Sequence, residues 1–415
     1  MKTSRLKTSL PRCLAAVAVA VTAAAGLAGC GASSGGGSGA QYAIWDPYPQ
    51  FDGNAAWVKL LESCGDKAGV KVKRTAFDTT DLTNKVLLAA QQGNAPDVLV
   101  VDNPVVSTLA DGGVLAATDD TKLETSGVDP NLLGAGQLDG KTYGTPIGAN
   151  TLALFYNKAI LRAAGVDASS IKDWAALTAA LAKVAGTRKK GITFSAIGTE
   201  EGSFQFLPWF WGSGARLDKL DSAPGVAALT LWNDWLKAGY APNSVINNTQ
   251  TTSWQDFAAG NVAFAENGTW QLANAKKLGF EYGTITVPAQ NGGPAPAPTG
   301  GEFVTVPTQK DSSRYAADQK IVSCLTDPDN IYTTDGTLSY VAPSAAVQQK
   351  QAAADPAMQV WVDAVQAAKG RTSDNLGTKY PKISEQLWTA VQATLSGSKS
   401  PAAALQAAQA AVGKG

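Results

Sequence analysis

The sequence predicts a two-lobed α/β protein. Its 415 residues exceed what one hydrophobic core usually organises, and 45% hydrophobic with 16% charged residues is typical of a globular chain. The stretch from residue 41 to residue 101 alternates strand-like and helix-like segments, the pattern of βαβ units around a parallel sheet. A stiff segment flanked by glycines follows within residues 140–161, and there we expect the chain to pass from one lobe to the other.

The stiff segment is centred on a proline. Pro146 fixes its own φ and biases the preceding residue toward extended backbone. Gly144 and Gly148 lie on either side and can absorb the backbone rotation that a hinge needs. Residues 151–156 then form an apolar run that predicts a strand, and residues 158–164 predict a short helix.

The segments before this crossing predict the first lobe. Strands are predicted at 41–45, 70–77 and 97–101, with helices at 57–64 and 80–92 between them. The third strand is a continuous apolar run of the kind found in parallel strands buried on both faces. This order predicts right-handed βαβ connections.

The segments after the crossing predict more helix than strand. A loop rich in proline and glycine covers residues 288–301, between two predicted strands. The predicted strands are 192–197, 281–287 and 302–306, and the predicted helices are 172–185, 224–238, 313–325, 356–369, 383–395 and 401–412.

Several short motifs follow one another in a characteristic order. They are GNAPDVLVVDN at 93–103, TYGTPIGANTLALFYNK at 142–158, GNVAFAENGTW at 260–270, CLTDPDN at 324–330 and SGSKSPAAALQAA at 396–408. In this order they resemble the extracellular solute-binding proteins of ABC importers, specifically the maltose-binding-protein-like carbohydrate group. The resemblance covers the whole chain after the N-terminal segment.

The resemblance implies a periplasmic-binding-protein-like fold of type II, with three hinge crossings and a ligand cleft between the lobes. It places the second crossing after residue 263 and the third at residues 307 and 308. The N-terminal lobe would then comprise residues 41–146 and 264–306. The C-terminal lobe would comprise residues 147–263 and 307–415.

The N-terminus predicts an export signal rather than part of the fold. Residues 1–29 contain a basic start and an apolar run that is too short to span a membrane as a mature helix. The tetrapeptide 27–30 resembles a bacterial lipobox, which implies that Cys30 becomes a lipidated first residue; the alternative is an ordinary secretory signal with an incidental cysteine. Residues 30–40 are rich in glycine and serine and predict a flexible tether. We therefore expect an exported protein, lipid-anchored to the outer face of the bacterial cell membrane.

Composition excludes several classes of function. The sequence contains no histidine, which removes Ser–His–acid triads, Cys–His dyads and zinc sites that use histidine. Two cysteines remain beyond the N-terminal segment, too few for a four-cysteine metal site, and no nucleotide-binding glycine motif follows a strand. The chain after residue 29 has 30 basic and 34 acidic residues, so a nucleic-acid partner is not expected. We expect no metal, no cofactor and no enzymatic activity.

Candidate ligand-binding residues follow the strands of the first lobe. Ligands in such sheets meet the carboxyl ends of the strands. The residues that this rule selects are Trp45, Asp46, Tyr48, Asp78, Asp102 and Asn103. The carboxylates would accept hydrogen bonds from pairs of sugar hydroxyls, and the alternative role of such residues is to cap a helix N-terminus.

The family resemblance adds candidates at the crossings and in the second lobe. An indole ring offers a flat apolar face to a sugar ring and an N–H donor to a hydroxyl, although core packing is the alternative for each tryptophan. The residues added in this way are Asn150, Trp209, Trp211, Trp270 and Trp388, and Glu302 and Phe303 follow the glycine pair of the cleft loop.

The two remaining cysteines predict a disulfide. Export would remove Cys64 and Cys324 from the reducing cytosol, and both lie on apolar helix faces. Two inert core thiols are the alternative. The resemblance places Cys64 in the first lobe and Cys324 at the start of the second lobe's last segment, so a bridge would tie the lobes together and limit their opening.

Together these features predict a lipoprotein that captures a mono- or oligosaccharide by hinge closure and delivers it to the permease subunits of an ABC importer. We expect a monomer that contacts the membrane through its N-terminal lipid only. One alternative keeps the fold but changes the solute to a polyamine, a peptide or an anion. The other is a lipid-anchored carbohydrate-active enzyme, which would turn over the bound sugar.

Overall fold

The structure is a computed structural model that describes residues 41–374 and 376–413. The predicted signal peptide at 1–29, the lipidation of Cys30 and the tether at 30–40 lie outside the described residues. In the described part of the chain, no helix is both long and apolar enough to cross a membrane.

The strands form two main sheets and one short hairpin. The strands are β1 (Gln41–Asp46), β2 (Lys71–Ala76), β3 (Val98–Asp102), β4 (Gln137–Leu138), β5 (Lys141–Thr142), β6 (Thr145–Pro146), β7 (Leu152–Asn157), β8 (Lys190–Thr193), β9 (Val262–Gly268), β10 (Tyr282–Ile285) and β11 (Glu302–Thr305). The five-stranded sheet has the order β2-β1-β3-β11-β6, and the four-stranded sheet has the order β10-β7-β9-β8. We call the residues around the five-stranded sheet the first lobe and those around the four-stranded sheet the second lobe. Two sheets with separate cores confirm the predicted two-lobed α/β architecture.

Helices cover the faces of both sheets. They are α1 (Ala56–Ala68), α2 (Thr79–Gln91), α3 (Asn103–Asp111), α4 (Thr118–Thr121), α5 (Pro130–Leu133), α6 (Lys158–Ala163), α7 (Trp174–Ala185), α8 (Glu200–Gly212), α9 (Ala223–Lys237), α10 (Gln250–Ala258), α11 (Leu272–Ala275), α12 (Tyr315–Leu325), α13 (Pro328–Leu338), α14 (Ala345–Ala354), α15 (Gln359–Ala367), α16 (Tyr380–Leu395) and α17 (Pro401–Val412).

The first sheet is built from parallel strands and is completed by a strand from late in the chain. β1 pairs in parallel with β2 and β3, as the alternating pattern predicts. β11 lies between β3 and β6 and is antiparallel to both. β3 is buried on both faces: Val98 and Val100 pack into one core, and Leu99 and Val101 pack into the other.

The second sheet corrects the predicted position of the second crossing. β9 and β10 both pair with β7, so residues 262–285 belong to the second lobe. The predicted assignment of 264 onward to the first lobe is therefore wrong. The chain returns to the first sheet between β10 and β11, within residues 286–301.

The third crossing also lies later than predicted. Ile321, Val322 and Leu325 on α12 pack into the core of the first lobe, and so does Val347 on α14. Trp361 on α15 packs instead with residues of β7 in the second lobe. The chain thus crosses for the third time between residues 347 and 361, and 307–347 belong to the first lobe.

A disulfide joins α1 to α12. The Cα atoms of Cys64 and Cys324 are 5.5 Å apart, within the range that a disulfide requires. Both cysteines lie in or against the core of the first lobe. The predicted pairing is present, but the expectation that it would tie the two lobes together is wrong, because α12 belongs to the same lobe as α1.

Candidate functional site

A cavity of about 630 Å³ lies between the two lobes. Its walls come from the strand ends of the first lobe, the helix starts of the second lobe and the segments that connect them. The lining residues are Thr79, Asp102, Asn150, Glu200, Glu201, Phe204, Gln250, Thr251, Trp270, Gly300, Gly301, Glu302 and Arg371.

Two carboxyl groups of the first lobe face each other across a strand pair. Asp102 ends β3 and Glu302 begins β11, and the two residues are direct partners in the antiparallel register. The strand ladder therefore fixes both at the edge of the sheet where ligands bind in α/β folds. Burial, and after it the negative charge of Asp102, raise the pKa of Glu302 to about 7.

Two tyrosines hold the Glu302 side chain in place. The hydroxyl groups of Tyr48 and Tyr340 each donate a hydrogen bond of 2.7 Å to Oε2 of Glu302. These bonds favour the ionised carboxylate and oppose the effect of burial on its pKa. The other oxygen, Oε1, accepts no hydrogen bond from the described side chains, so it is available to a solute.

The second lobe contributes the start of α8 and two aromatic rings. Glu200 and Glu201 form the first turn of α8, and Phe204 lies one turn later on the same helix. The backbone N–H of Gln250, at the start of α10, donates to Oε1 of Glu201. Trp270 follows β9 and lies beside Phe204, with ring centroids 6.2 Å apart. This wall therefore offers carboxylate acceptors next to aromatic faces.

One guanidinium group connects the two walls. Arg371 lies between α15 and α16, and its side chain is only 4% exposed. Its Nη1 donates to Oε1 of Glu200 at 2.9 Å, and its Nη2 donates to Oδ1 of Asp102 at 3.2 Å. Burial raises the pKa of Asp102, whereas the positive charge of Arg371 lowers it.

The floor of the cavity is made of hinge backbone. Asn150 exchanges two backbone hydrogen bonds with Gly300, at 3.2 and 2.8 Å. Gly301 has a φ of +102°, and a Cβ at this position would collide with the carbonyl oxygen of Gly148. Only glycine permits this close crossing of two hinge segments.

The residue types of the cavity suit the binding of a polar solute. Its carboxylates and amides can accept and donate hydrogen bonds, and its aromatic rings can cover an apolar face. In the part of the chain that the structure describes, no group of three or more His, Cys, Asp or Glu side chains could hold a metal ion.

The family follows from a comparison with known sequences. The model for the bacterial extracellular solute-binding proteins matches residues 59–360, which is more than half of the chain. The chain belongs to this family. A relative in Streptococcus pneumoniae, a maltooligosaccharide ABC transporter solute-binding lipoprotein, is 25% identical over 296 residues. The alignment covers 66% of this chain and 66% of the relative, just under two thirds of the relative's own length.

Solved structures of solute-binding proteins share the fold. The GacH receptor of Streptomyces glaucescens, solved unliganded and with acarbose, is 26% identical with a TM-score of 0.74, over 90% of this chain and 97% of the receptor. UgpB from Mycobacterium tuberculosis, in complex with glycerophosphocholine, is 22% identical with a TM-score of 0.76, over 90% of this chain and 98% of UgpB. Because the identity to UgpB is only 22%, this similarity shows a shared fold and nothing more. The predicted periplasmic-binding-protein-like fold of type II is confirmed.

The cavity contains some of the residues that the sequence selected. Four of them line it: Asp102, Asn150, Trp270 and Glu302. Two more lie directly behind the lining: Tyr48 bonds to Glu302, and Asn103 accepts from Nη2 of Arg371 at 3.3 Å.

Three predicted tryptophans lie away from the cavity. Trp209 is fully buried, and its Nε1 donates to Oε2 of Glu266 at 2.8 Å. Trp211 packs in the same core. Trp388 lies half-buried on α16, outside the lining. Trp209 and Trp211 therefore have the alternative role, core packing.

Four predicted residues of the first lobe also have structural roles. Asp46 is fully buried and forms an ion pair with Arg74, Trp45 packs edge-on against Phe77, and Asp78 caps the N-terminus of α2. Phe303 points into the core of the first lobe. The prediction that these side chains reach the cavity is wrong.

Several lining residues were not predicted. Glu200 and Glu201 follow β8, and the strand-end rule applied to the second sheet would have selected them. Gln250 and Thr251 begin α10. Arg371 lies in an irregular segment, and its partners are distant in sequence, so the local pattern contains no signal for it.

Proposed function

We propose that this chain captures a carbohydrate, a mono- or oligosaccharide, and releases it unchanged to an ABC importer. The observation that supports this proposal is the composition of the cavity walls: the ring of Trp270 lies beside the carboxylates and amides of both lobes. A sugar ring has an apolar face of C–H groups and a rim of hydroxyls, so it needs both kinds of surface at once.

The relatives support the same solute class. The Streptococcus pneumoniae relative is named for maltooligosaccharide, and the Streptomyces glaucescens receptor was solved with acarbose, a modified oligosaccharide. In this chain, we propose that Asp102, Glu302 and Asn150 accept hydrogen bonds from sugar hydroxyls. Trp270 would stack on the ring.

We propose that binding closes the hinge. A solute that touches Glu302 of the first lobe and Trp270 of the second gains contacts only when the lobes approach, so it favours the closed state by its differential affinity. The hinge would comprise residues 147–151, 286–301 and 348–360. The first lobe would be 41–146 with 302–347, and the second 152–285 with 361–412.

We further propose that the chain is an exported monomer, anchored through lipid on Cys30, and that permease subunits recognise its closed state. The lipobox-like tetrapeptide at 27–30 and the lipoprotein relative support this localisation. A single lipid with a flexible tether would leave the two lobes free to reorient above the membrane.

One feature of the cavity favours a second candidate, a cationic solute. The lining contains four carboxyl groups and, among the described residues, one basic group, Arg371, which is already bonded to two of the four. A polyamine would pair with the remaining two, Glu201 and Glu302. An anionic solute would meet an excess of negative charge.

The test is a thermal-shift and calorimetry screen of the full chain. The panel contains maltose and maltotriose, spermidine as a cation, and glycerophosphocholine as a zwitterion. A solute present at about 100 Kd stabilises the fold by about 2.7 kcal/mol. Stabilisation by a saccharide, which Trp270→Ala abolishes, supports the proposal. Stabilisation by spermidine alone, or hydrolysis of the bound saccharide in a chromatographic assay, contradicts it.

A further inference from the structure

The side chain of Arg371 connects the second lobe to the first lobe. Its segment belongs to the second lobe, because Leu376 and Tyr380 pack into the second lobe's core and the guanidinium lies over the ring of Phe204, 5.0 Å from its centroid. From this position Arg371 reaches Asp102 at the end of β3 in the first lobe. The Arg371–Asp102 contact therefore crosses the cleft.

The second-lobe half of this arrangement is held rigidly. Besides Arg371, Glu200 accepts hydrogen bonds from the hydroxyl groups of Tyr380, at 2.6 Å, and Ser384. Both donors lie at the start of α16. When the lobes separate, Glu200 and Arg371 therefore move together, and the bonds that break are those from Arg371 to Asp102 and to Asn103.

The charges around Arg371 explain why its loss would favour opening. The carboxylates of Asp102 and Glu200 bond the same guanidinium, so they lie close together on opposite walls. Without the guanidinium, two negative charges on side chains that are 25% and 41% exposed would face each other across the cleft. Such a pair is strongly unfavourable in a partly desolvated site.

We propose that Arg371 is a positioning residue that holds the cleft closed by neutralising Asp102 of the first lobe and Glu200 of the second lobe. This role depends on protein atoms only. It therefore goes beyond the proposed function and applies whichever solute the cavity accepts.

The test compares hydrogen–deuterium exchange of the full chain and its variants, measured by mass spectrometry with no solute added. In Arg371→Met we expect peptides from both cleft walls, 98–106 and 198–206, to exchange at least about fivefold faster than in the wild type. A factor of about five is the lower end of the range of coupling measured between two sites of a protein. In the double variant Asp102→Asn with Arg371→Met, exchange should return toward the wild-type rate because the repulsion is removed.

A matched control separates this role from ordinary stabilisation. Arg314 pairs with Asp97 inside the first lobe, and its side chain is also largely buried. Arg314→Met should lower the midpoint of urea unfolding but leave the exchange of both walls at the wild-type rate. Sodium chloride should slow the excess exchange of Arg371→Met, since the Debye length falls to about 3 Å at 1 M salt.

Two results would overturn the proposal. One is wild-type exchange of both walls in Arg371→Met, and the other is an equal increase in Arg314→Met. If Arg371→Met does not fold, Arg371→Gln provides the same comparison, because glutamine removes the positive charge but keeps a polar side chain. Its walls should exchange faster than wild type, and wild-type exchange in this variant would contradict the proposal.

Discussion

The hydroxyl group of Tyr340 donates a 2.7 Å hydrogen bond to Oε2 of Glu302, and this bond couples α13 and its following turn to the cavity lining. Tyr340 is itself nearly fully buried, so the bond is shielded from water. Because Tyr48 donates to the same atom, Oε2 of Glu302 is occupied and Oε1 is available to a solute. The protonation of this single side chain is therefore expected to control solute affinity.

We expect the affinity for maltotriose to fall about tenfold between about pH 8 and about pH 6, because the ionised fraction of a group with a pKa near 7 falls by that factor. The carboxylate accepts a hydroxyl hydrogen bond more strongly than the neutral acid does. Calorimetry at the two pH values measures the change.

The variant Glu302→Gln is the control for this pH dependence, and it should bind with nearly equal affinity at both pH values. A wild-type slope in Glu302→Gln would assign the pH dependence to another group.

Stability should change in the opposite direction: a raised pKa in the folded state means that the contribution of Glu302 is greatest at low pH and is lost as the pH rises through about 7.

The two tryptophans Trp270 and Trp209 give a matched pair of substitutions. Trp270→Ala should weaken maltotriose binding by about 1–3 kcal/mol, by analogy with base–aromatic stacking, with little effect on folding. Trp209→Ala should instead lower the free energy of unfolding by about 3–5 kcal/mol, since its ring is fully buried. Calorimetry and urea unfolding of both variants measure the two effects. Normal binding by Trp270→Ala would show that its ring is only a packing residue.

Replacing both cysteines of the disulfide should destabilise the fold without changing the cleft. The bridge closes a loop of 260 positions, so the chain-entropy model gives up to about 5 kcal/mol for the double variant Cys64→Ala with Cys324→Ala. Both residues lie in one lobe, and maltotriose affinity should therefore stay at the wild-type value. Thermal unfolding and calorimetry measure the two quantities, and an altered affinity would mean that the bridge does act on the hinge.

The buried side chain of Asp318 should make stability depend on pH. Burial and the charge of Asp97, opposed by the charge of Arg314, raise its pKa to about 8. Neither carboxyl oxygen has a hydrogen-bond partner among the described residues. Because the folded-state pKa is raised, its contribution to stability is complete below about pH 4 and is lost as the pH rises toward 8.

The variant Asp318→Asn isolates this contribution. Between about pH 5 and about pH 8, the free energy of urea unfolding should fall less for this variant than for the wild type. The difference between the two proteins should be a few kcal/mol at most, since one pKa unit corresponds to about 1.4 kcal/mol. Parallel pH profiles for the two proteins would show that Asp318 has the same pKa in the folded and unfolded states.

The sequence predicts the order of elements in the first lobe because its signals are local. Residues 98–101 are apolar without interruption, and the structure covers both faces of this strand. The lobe boundaries could not be predicted in the same way. Phe264 and Ala265 would suit a buried strand in either sheet, and only their pairing with β7 decides between the two.

The cavity residues could be predicted only in part, for a similar reason. Nearly all of α8 is buried, so hydrophobic spacing does not indicate which of its aromatic rings faces the cavity. Phe204 and Trp209 are five positions apart, about 140° around the helix, and they point in different directions. Arg371 meets Glu200 and Asp102 only through the tertiary fold, across sequence separations of 171 and 269 residues.

The place of β11 in the first sheet has a consequence for the order in which the two sheets can form. The four strands of the second sheet lie in one stretch, 152–285, and can pair as soon as they emerge. The first sheet, although it is synthesised first, must wait for residues 302–305 to fill the position between β3 and β6. A nascent chain that stalls before that point exposes the apolar edge of β3, the kind of edge that recruits other chains into aggregates. Truncation within residues 286–301 should therefore be more harmful to solubility than the loss of the last helix.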